Sequence, residues 1–204
     1  DSFIWDPFYK HAGDLFKMIF EGKIDTLNNL ESLNYRRMVS FETISKDCAA
    51  FESEFNSFFP NGVPYSQKRK DIEKEVSEEI SPLCDKATGT KKQIYKGFLK
   101  HVHLLSLSEK IEYAFEHFSN CLSSVKNRLK ISYSSHDLGL YCAGIRNDVD
   151  HGNKVNVITQ EQVWSFILLR CLVYAIQLKR AGFEDKDIDT LLDQLYSIEG
   201  FPIS

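Results

Sequence analysis

The stretch TQEQVWSFILLRCLVYAIQLKRAG, residues 159–182, contains the longest apolar run of the chain and decides the fold class. Thr159 is suited to cap the start of a helix, and Gly182 is a typical residue just beyond a helix end. The apolar part, Val163–Leu178, contains Arg170. A membrane span needs about 18 uninterrupted apolar residues, so this stretch predicts the buried core helix of a globular domain.

Apolar residues recur every three or four positions through most of the remaining sequence, and no stretch alternates as a half-buried strand does. The predicted helices lie in Phe3–Phe20 with Pro7 as the helix start, Asp25–Leu33, Tyr35–Phe59, Ser66–Ile80, Lys91–Leu107, Ile111–Leu129, a stripe from Leu138 to Val149, the core helix, and a last helix starting at Asp185 or Asp187. Ser81-Pro82 and the segment SYSSHD at 132–137 are expected to interrupt them. The sequence therefore predicts an all-α bundle, with residues 1–34 as an N-terminal helical extension or remnant of a preceding domain and 35–204 as one helical domain.

Composition indicates a globular protein of a reducing compartment. The chain is 43% hydrophobic and 26% charged, and its 15 Phe residues can fill a sizeable core. Its five cysteines are widely spaced and form no C-x-x-C pair, which argues against a disulfide framework and against a zinc site. With no signal peptide visible, we expect a cytoplasmic protein without a membrane anchor. The first residue is Asp1 rather than Met, which suggests a fragment of a longer protein.

Charge is unevenly distributed although the total is only −4. Between Lys86 and Ser135 there are nine basic and three acidic residues, whereas Gly182–Ser204 has six acids and one lysine. The basic part is the region expected to meet phosphate, and its alternative interpretation is a set of solvated helix faces. The candidate substrate-binding residues are Lys126, Arg128, Lys130 and, after the next helix, Lys154.

The segment most suggestive of chemistry is IRNDVDHG, residues 145–152, at the end of a predicted helix and before the core helix. Arg146 and His151 are separated by four residues, Asn147 follows the arginine, and Gly152 follows the histidine. This pattern resembles the R-x(4–6)-H motif of the HEPN superfamily. The helical architecture around it is most similar to the HEPN domain of ApeA-like anti-phage defence proteins. The resemblance covers roughly Tyr35–Tyr196 in architecture and is specific only at Arg146–Gly152.

The resemblance implies a metal-independent endoribonuclease that acts as a homodimer, with catalytic Arg146, Asn147 and His151 from each copy and no cofactor. Such proteins are effectors of anti-phage abortive-infection or toxin systems, so an upstream sensor domain is expected in the full-length protein. The residue types fit RNA cleavage by its own 2′-OH, because histidine can act as base or acid near neutral pH. Arginine remains charged and can bind phosphate through parallel N–H bonds.

Several alternatives remain open at this stage. Asn147 could hold the imidazole, contact phosphate or ribose, or bond at the helix end. Asp148 or Asp150 could orient His151, or could simply be exposed acids in the last helical turn. Five steps of a straight helix separate Arg146 and His151 by about 140°, so they converge only if the helix ends near Asp150 and His151 turns back. The alternative function is a catalytically inactive HEPN or other helical module that binds a protein partner or a nucleotide.

Overall fold

The computed structural model describes residues 5–24, 39–64, 67–152 and 157–196, and these form helices and connecting turns with no β-strand among them. The helices are α1 (Trp5–Phe20), α2 (Phe41–Phe58), α3 (Gln67–Lys86), α4 (Gly89–His101), α5 (Leu107–His117), α6 (Ser123–Arg128), α7 (Ser135–Asp150), α8 (Gln160–Arg180) and α9 (Asp185–Tyr196). The predicted all-α class is confirmed. The short helix predicted at 25–33 and the proposed domain boundary at 34/35 lie outside the described residues.

Two compact units make up the chain: a main unit of residues 1–60 and 107–204, and a hairpin unit of residues 61–106. The sequence did not indicate this division. The core of the main unit is α8, which packs against α2, α7 and α9, while α5 packs on α7. In the hairpin unit, α3 packs against α4.

The core helix α8 begins and ends where the sequence predicted. Thr159 is the N-cap, accepting a hydrogen bond from the Gln162 backbone N–H at 3.3 Å, and Gly182 with φ +92° follows its end. Within the described part of the chain, α8 alone is long and apolar enough to cross a membrane, but 67% of its most apolar window is buried in the structure. Burial on nearly all sides explains why it lacks a polar face.

Two buried ion pairs join α2 to α8. Arg170 Nε donates to Asp47 Oδ2 at 2.8 Å, and seven residues further along both helices Glu54 accepts from Gln177 at 3.1 Å and pairs with Arg180. The matched spacing shows that α2 and α8 run parallel. The interior arginine that ruled out a simple membrane span thus has a specific partner in the core.

Helix α7 runs antiparallel to α5, since Ser135 Oγ bonds Glu116 at 2.8 Å while Gly139 lies against Ser108. Ser134 caps α7 through a capping box with Asp137. The break predicted at 132–137 is therefore shorter than expected, because its last three residues form the first turn of α7.

Three predicted boundaries are wrong. The helix predicted over 91–107 ends at His101, and α5 begins at Leu107 after a turn. Helix α3 continues through Pro82 to Lys86, because Pro82 is exposed and the carbonyl group that loses its N–H partner can bond water. The helix predicted over 111–129 is divided by a 3₁₀ turn at Ser119–Cys121. Asp189 of α9 fixes the start of α6 by accepting from both the backbone N–H and the hydroxyl of Ser124, at 2.8 and 2.6 Å.

Candidate functional site

The candidate motif lies at the C-terminal end of α7, which stops at Asp150 as required. His151 is the C-cap residue, with φ −89° and ψ 3°, and its backbone N–H donates to the Asn147 carbonyl at 3.0 Å. Gly152 has φ +67° and donates its N–H to the Val149 carbonyl at 3.1 Å, one of the two bonds of a Schellman ending. His151 keeps a near-helical backbone, so the chain reverses at Gly152 rather than at the histidine.

Arg146 is oriented by Asp150, and Asp150 is in turn bonded by Ser45. The Arg146 Nε atom lies 2.7 Å from Asp150 Oδ2, one helical turn further along, and the other carboxylate oxygen of Asp150 accepts from Ser45 Oγ of α2 at 2.6 Å. The Arg146 and Asp150 side chains are 38% and 35% exposed. The guanidinium group is thus oriented from one side and open to solvent on another, and its other N–H donors suit a phosphate.

The Asp150 carboxylate therefore binds both Arg146 and Ser45 in the structure. The alternative in which this carboxylate orients His151 has no support here, because both of its oxygens have other partners. The i,i+4 spacing of Arg146 and Asp150 was a visible sequence signal for this pair. The contribution of Ser45 was missed, because the two partners are 105 residues apart in the chain.

His151 and Asn147 are exposed. Within the described ranges, neither side chain makes a hydrogen bond or an ion pair, and none joins His151 to Arg146. One copy of the chain thus presents the two groups without bringing them into contact. An arrangement in which both act on one phosphate needs a ligand or a second copy to bridge them.

The two cysteine thiols behind Arg146, those of Cys48 and Cys142, are buried and chemically inert. Burial and, to a smaller extent, the neighbouring Asp47 raise the pKa of the Cys48 thiol to about 12, while Arg146 acts in the opposite direction. Cys142 of α7 is fully buried, and burial together with nearby Cys48 raises its pKa as well. Both thiols stay protonated at neutral pH, so neither is a nucleophile for this site.

The basic candidates lie away from the motif. Lys126 lines a small cleft with Ser135, the first residue of α7, and its ammonium group lies 5.5 Å from the centre of the Phe115 ring. Arg128 is paired with Asp193, at 2.5 Å between Nη2 and Oδ2. Since Arg146 is eleven residues beyond Ser135, the helical rise alone separates Lys126 from the motif by about 16 Å.

Lys130 is exposed in a left-handed conformation, φ 53°, in the turn after α6. Lys154 lies outside the described residues. The structure therefore does not group Lys126, Arg128 or Lys130 with Arg146 in one copy of the chain. Among the described residues, no group of three or more His, Cys, Asp and Glu side chains is arranged to hold a metal ion.

Comparisons of the chain with protein-family models, with characterised proteins and with solved structures found no match.

Proposed function

We propose that this chain is a metal-independent endoribonuclease of the HEPN type, in which Arg146 and His151 of two copies form one composite site. The observation that carries the proposal is that an oriented, solvent-accessible guanidinium and an exposed imidazole lie at the same helix end. A role as an effector of anti-phage defence or of a toxin system is part of the proposal and depends on the sequence resemblance alone.

In the proposed reaction, the imidazole of one His151 removes the proton from a ribose 2′-OH, whose oxygen attacks the adjacent phosphorus. The second copy's imidazolium protonates the departing 5′-oxygen. Arg146 stabilises the charge that develops on the non-bridging phosphate oxygens. The products are a 2′,3′-cyclic phosphate and a 5′-hydroxyl, and the need for a 2′-OH restricts the substrate to RNA. Asn147, exposed one residue beyond Arg146, is in position to contact the ribose or phosphate.

The decisive experiment compares wild type with Arg146→Ala and His151→Ala on labelled single-stranded RNA in EDTA. Loss of either group is expected to slow cleavage by at least about 100-fold, the contribution of a positioned acid or base. His136→Ala is the matched control, because His136 is an exposed histidine at the opposite end of α7. Equal residual cutting by wild type and both site variants would mean a contaminating nuclease and would refute the proposal.

The two-copy site has its own test. Arg146→Ala and His151→Ala proteins are mixed in equal amounts, so that mixed pairs contain one arginine and one histidine. Partial recovery of cleavage is expected if residues of both copies act on one phosphate. If each chain acts alone, the mixture stays as inactive as its components.

A second candidate is a catalytically inactive module that binds a protein or a nucleotide. The specific observation in its favour is the Asp150 carboxylate, which already pairs with Arg146 and competes with an incoming phosphate, and it therefore favours a protein partner over a nucleotide. Under this alternative, purified protein leaves RNA intact at every concentration, and its expression does not slow the growth of a bacterial host. The ribonuclease proposal predicts growth arrest by wild type and normal growth with His151→Ala.

A further inference from the structure

Helix α4 of the hairpin unit is strongly basic. Its 13 residues include four lysines and no aspartate or glutamate. Three of these lysines, Lys92, Lys96 and Lys100, recur every four residues and fall within about 80° of one another on one side of the helix. Lys92 is partly exposed and the other two are exposed. Among the described residues, no ion pair neutralises any of the three.

Helix α3 packs beside α4 in this unit. The two helices are antiparallel, since His103, just after α4, meets Glu73 near the start of α3, with 3.1 Å between Nδ1 and Oε2. The side of α3 that faces α4 is centred near Glu73 and Ile80, and the side of α4 that faces α3 is centred near Tyr95 and Leu99. Every other side chain of the pair can be placed relative to these two lines.

Two lysines of α3 lie on the same side of the hairpin as those of α4. Lys70 and Lys74 are rotated by about 70–110° from the covered side of α3. The three lysines of α4 are rotated by about 40–120° in the same sense from the covered side of their own helix. In two antiparallel helices, rotations in the same sense lead to the same side of the pair. The resulting surface, named here the lysine face, consists of Lys70, Lys74, Lys92, Lys96 and Lys100.

The ammonium groups of the lysine face form a row. With the register set by the contact between His103 and Glu73, the five lysines follow one another along the hairpin over about 20 Å, in steps of roughly 3–6 Å. Phosphates recur about every 3.4 Å along one strand of a duplex. A row of this length can therefore contact several successive phosphates of one strand.

The acidic groups of α3 lie at the edge of this face. Asp71, Glu78 and Asp85 are each rotated further away from α4 than the two lysines of α3. Glu78 Oε1 is 3.8 Å from Lys74 Nζ, and both side chains are largely exposed, so this pair is weak. The positive charge of the face is thus concentrated along α4, which contributes no acid.

The surroundings of the lysines favour a nucleic acid over a membrane or a protein. Ile94 and Phe98, the exposed large apolar residues of α4, lie about 120–160° from the lysines, whereas a helix bound to lipid directs both kinds of side chain to one surface. On α3 the face carries Ser77 and Ser81 beside its lysines. Protein interfaces are depleted of lysine and depend on aromatic, methionine and arginine side chains.

We propose that the lysine face binds the phosphate backbone of single-stranded RNA without reading its sequence. Lysines that neutralise phosphates release bound counterions, and this release supplies the affinity of sequence-independent binding. The inference rests on the proposed function in naming RNA as the polyanion. It adds to the reacting groups Arg146 and His151 a second surface that holds the substrate.

The test measures the binding of a fluorescent single-stranded RNA to the full chain carrying His151→Ala, so that the probe is not cut. Adding Lys92→Gln/Lys96→Gln/Lys100→Gln removes three charges from the face, and glutamine has nearly the helix propensity of lysine. The loss of three phosphate contacts is expected to raise the dissociation constant by about 100-fold at about 0.1 M salt. The slope of log affinity against log salt concentration should fall in magnitude by about 2.

The matched control is Lys68→Gln/Lys86→Gln/Lys91→Gln. It removes the same charge from exposed lysines on the other side of the same hairpin, and we expect the dissociation constant to change by no more than about 3-fold, because salt screens distant charges. Circular dichroism checks that both triple variants keep their helical content.

An equal loss of affinity in the control would show that net charge rather than the lysine face attracts RNA, and the inference would be wrong. Unchanged RNA binding by the face variant, or no RNA binding by its parent, would also overturn it. So would a face variant that binds RNA normally but no longer binds phosphatidylserine vesicles, since the occupant would then be a lipid surface.

RNA cleavage by proteins that retain His151 separates this inference from the proposed function. The face variant should raise KM by about the factor measured for binding and leave kcat near the wild-type value, because it loses uniform binding. If wild type binds RNA through the lysine face but never cuts it, the inference stands and the ribonuclease proposal fails. If the face variant binds and cuts like wild type while Arg146→Ala does not cut, the ribonuclease proposal stands and the inference fails.

Discussion

Two glycines of α7 provide a matched test of how closely this helix is packed. A Cβ atom added at Gly139 would lie 2.5 Å from the backbone oxygen of Ser108 in α5, about 0.9 Å inside ordinary van der Waals separation. A Cβ atom at Gly144, in the same helix, would meet nothing within 4 Å. The two Gly→Ala substitutions therefore share a similar gain in helix propensity, and the main difference between them is the clash at the buried Gly139.

Overpacking costs about 1–3 kcal/mol, and a clash with backbone belongs at the upper end of that range, near 3. Alanine gains about 1 kcal/mol over glycine inside a helix. Gly139→Ala is thus expected to lower the free energy of unfolding by about 2 kcal/mol, and Gly144→Ala to raise it by up to about 1 kcal/mol.

Urea unfolding followed by circular dichroism measures both values. With a slope of about 2 kcal/mol per molar urea, Gly139→Ala should move the midpoint down by about 1 M. The proposed site supplies a second measurement, since separating α7 from α5 displaces the helix that carries Arg146 and should also slow RNA cleavage. Equal stability of the two variants would show that the packing of α5 on α7 is looser than described, and the reasoning would be wrong.

Three further perturbations test the fold. Arg170→Met leaves the Asp47 carboxylate buried without its cation and should lower the free energy of unfolding by about 3–5 kcal/mol. Adding Asp47→Leu should recover most of that loss. An Arg170→Met variant as stable as wild type would contradict the buried pair. Thr159→Ala removes the N-cap of α8 and should cost about 1 kcal/mol in the same urea assay, and no change would mean that the cap is dispensable. The hydrogen bond to Glu112 raises the pKa of His136 above its ordinary value of 6.5. The His136–Glu112 pair therefore stabilises the folded protein fully below pH 6.5, and this stabilisation is lost as the pH rises through the folded-state pKa. The stability difference between wild type and His136→Ala should therefore be larger at pH 5.5 than at pH 8.5, and a difference independent of pH would argue against the pair.

The helical class and the core were predictable because they depend on local pattern. The apolar run of α8, its capping Thr159 and the glycine after it all indicated the same helix, and the structure confirmed both ends. The errors arose where tertiary context overrode a local signal. Pro82 normally ends a helix, but an exposed proline can be accommodated, and the break before α6 depends on Asp189, 65 residues away from Ser124.

The candidate site also has features that the sequence predicted and features that only the folded structure shows. The spacing of Arg146 and His151, the helix end at Asp150 and the role of Gly152 could be inferred from eight consecutive residues. The bond from Ser45 to Asp150 could not, because only the folded arrangement brings α2 to the end of α7. The assignment of Lys126 and Arg128 to the substrate depended on charge alone. Charge along the sequence does not reveal that Arg128 of α6 is paired with Asp193 of α9.

Helix α2 connects the stability of the core to the orientation of the site. Ser45 and Asp47 are two residues apart on this helix; Ser45 bonds the carboxylate that holds Arg146, while Asp47 bonds Arg170 in the core. A shift of α2 along α8 would displace Ser45 and with it the carboxylate of Asp150. The buried ion pair therefore does more than contribute to folding, because it fixes the register of the helix against which the guanidinium is oriented.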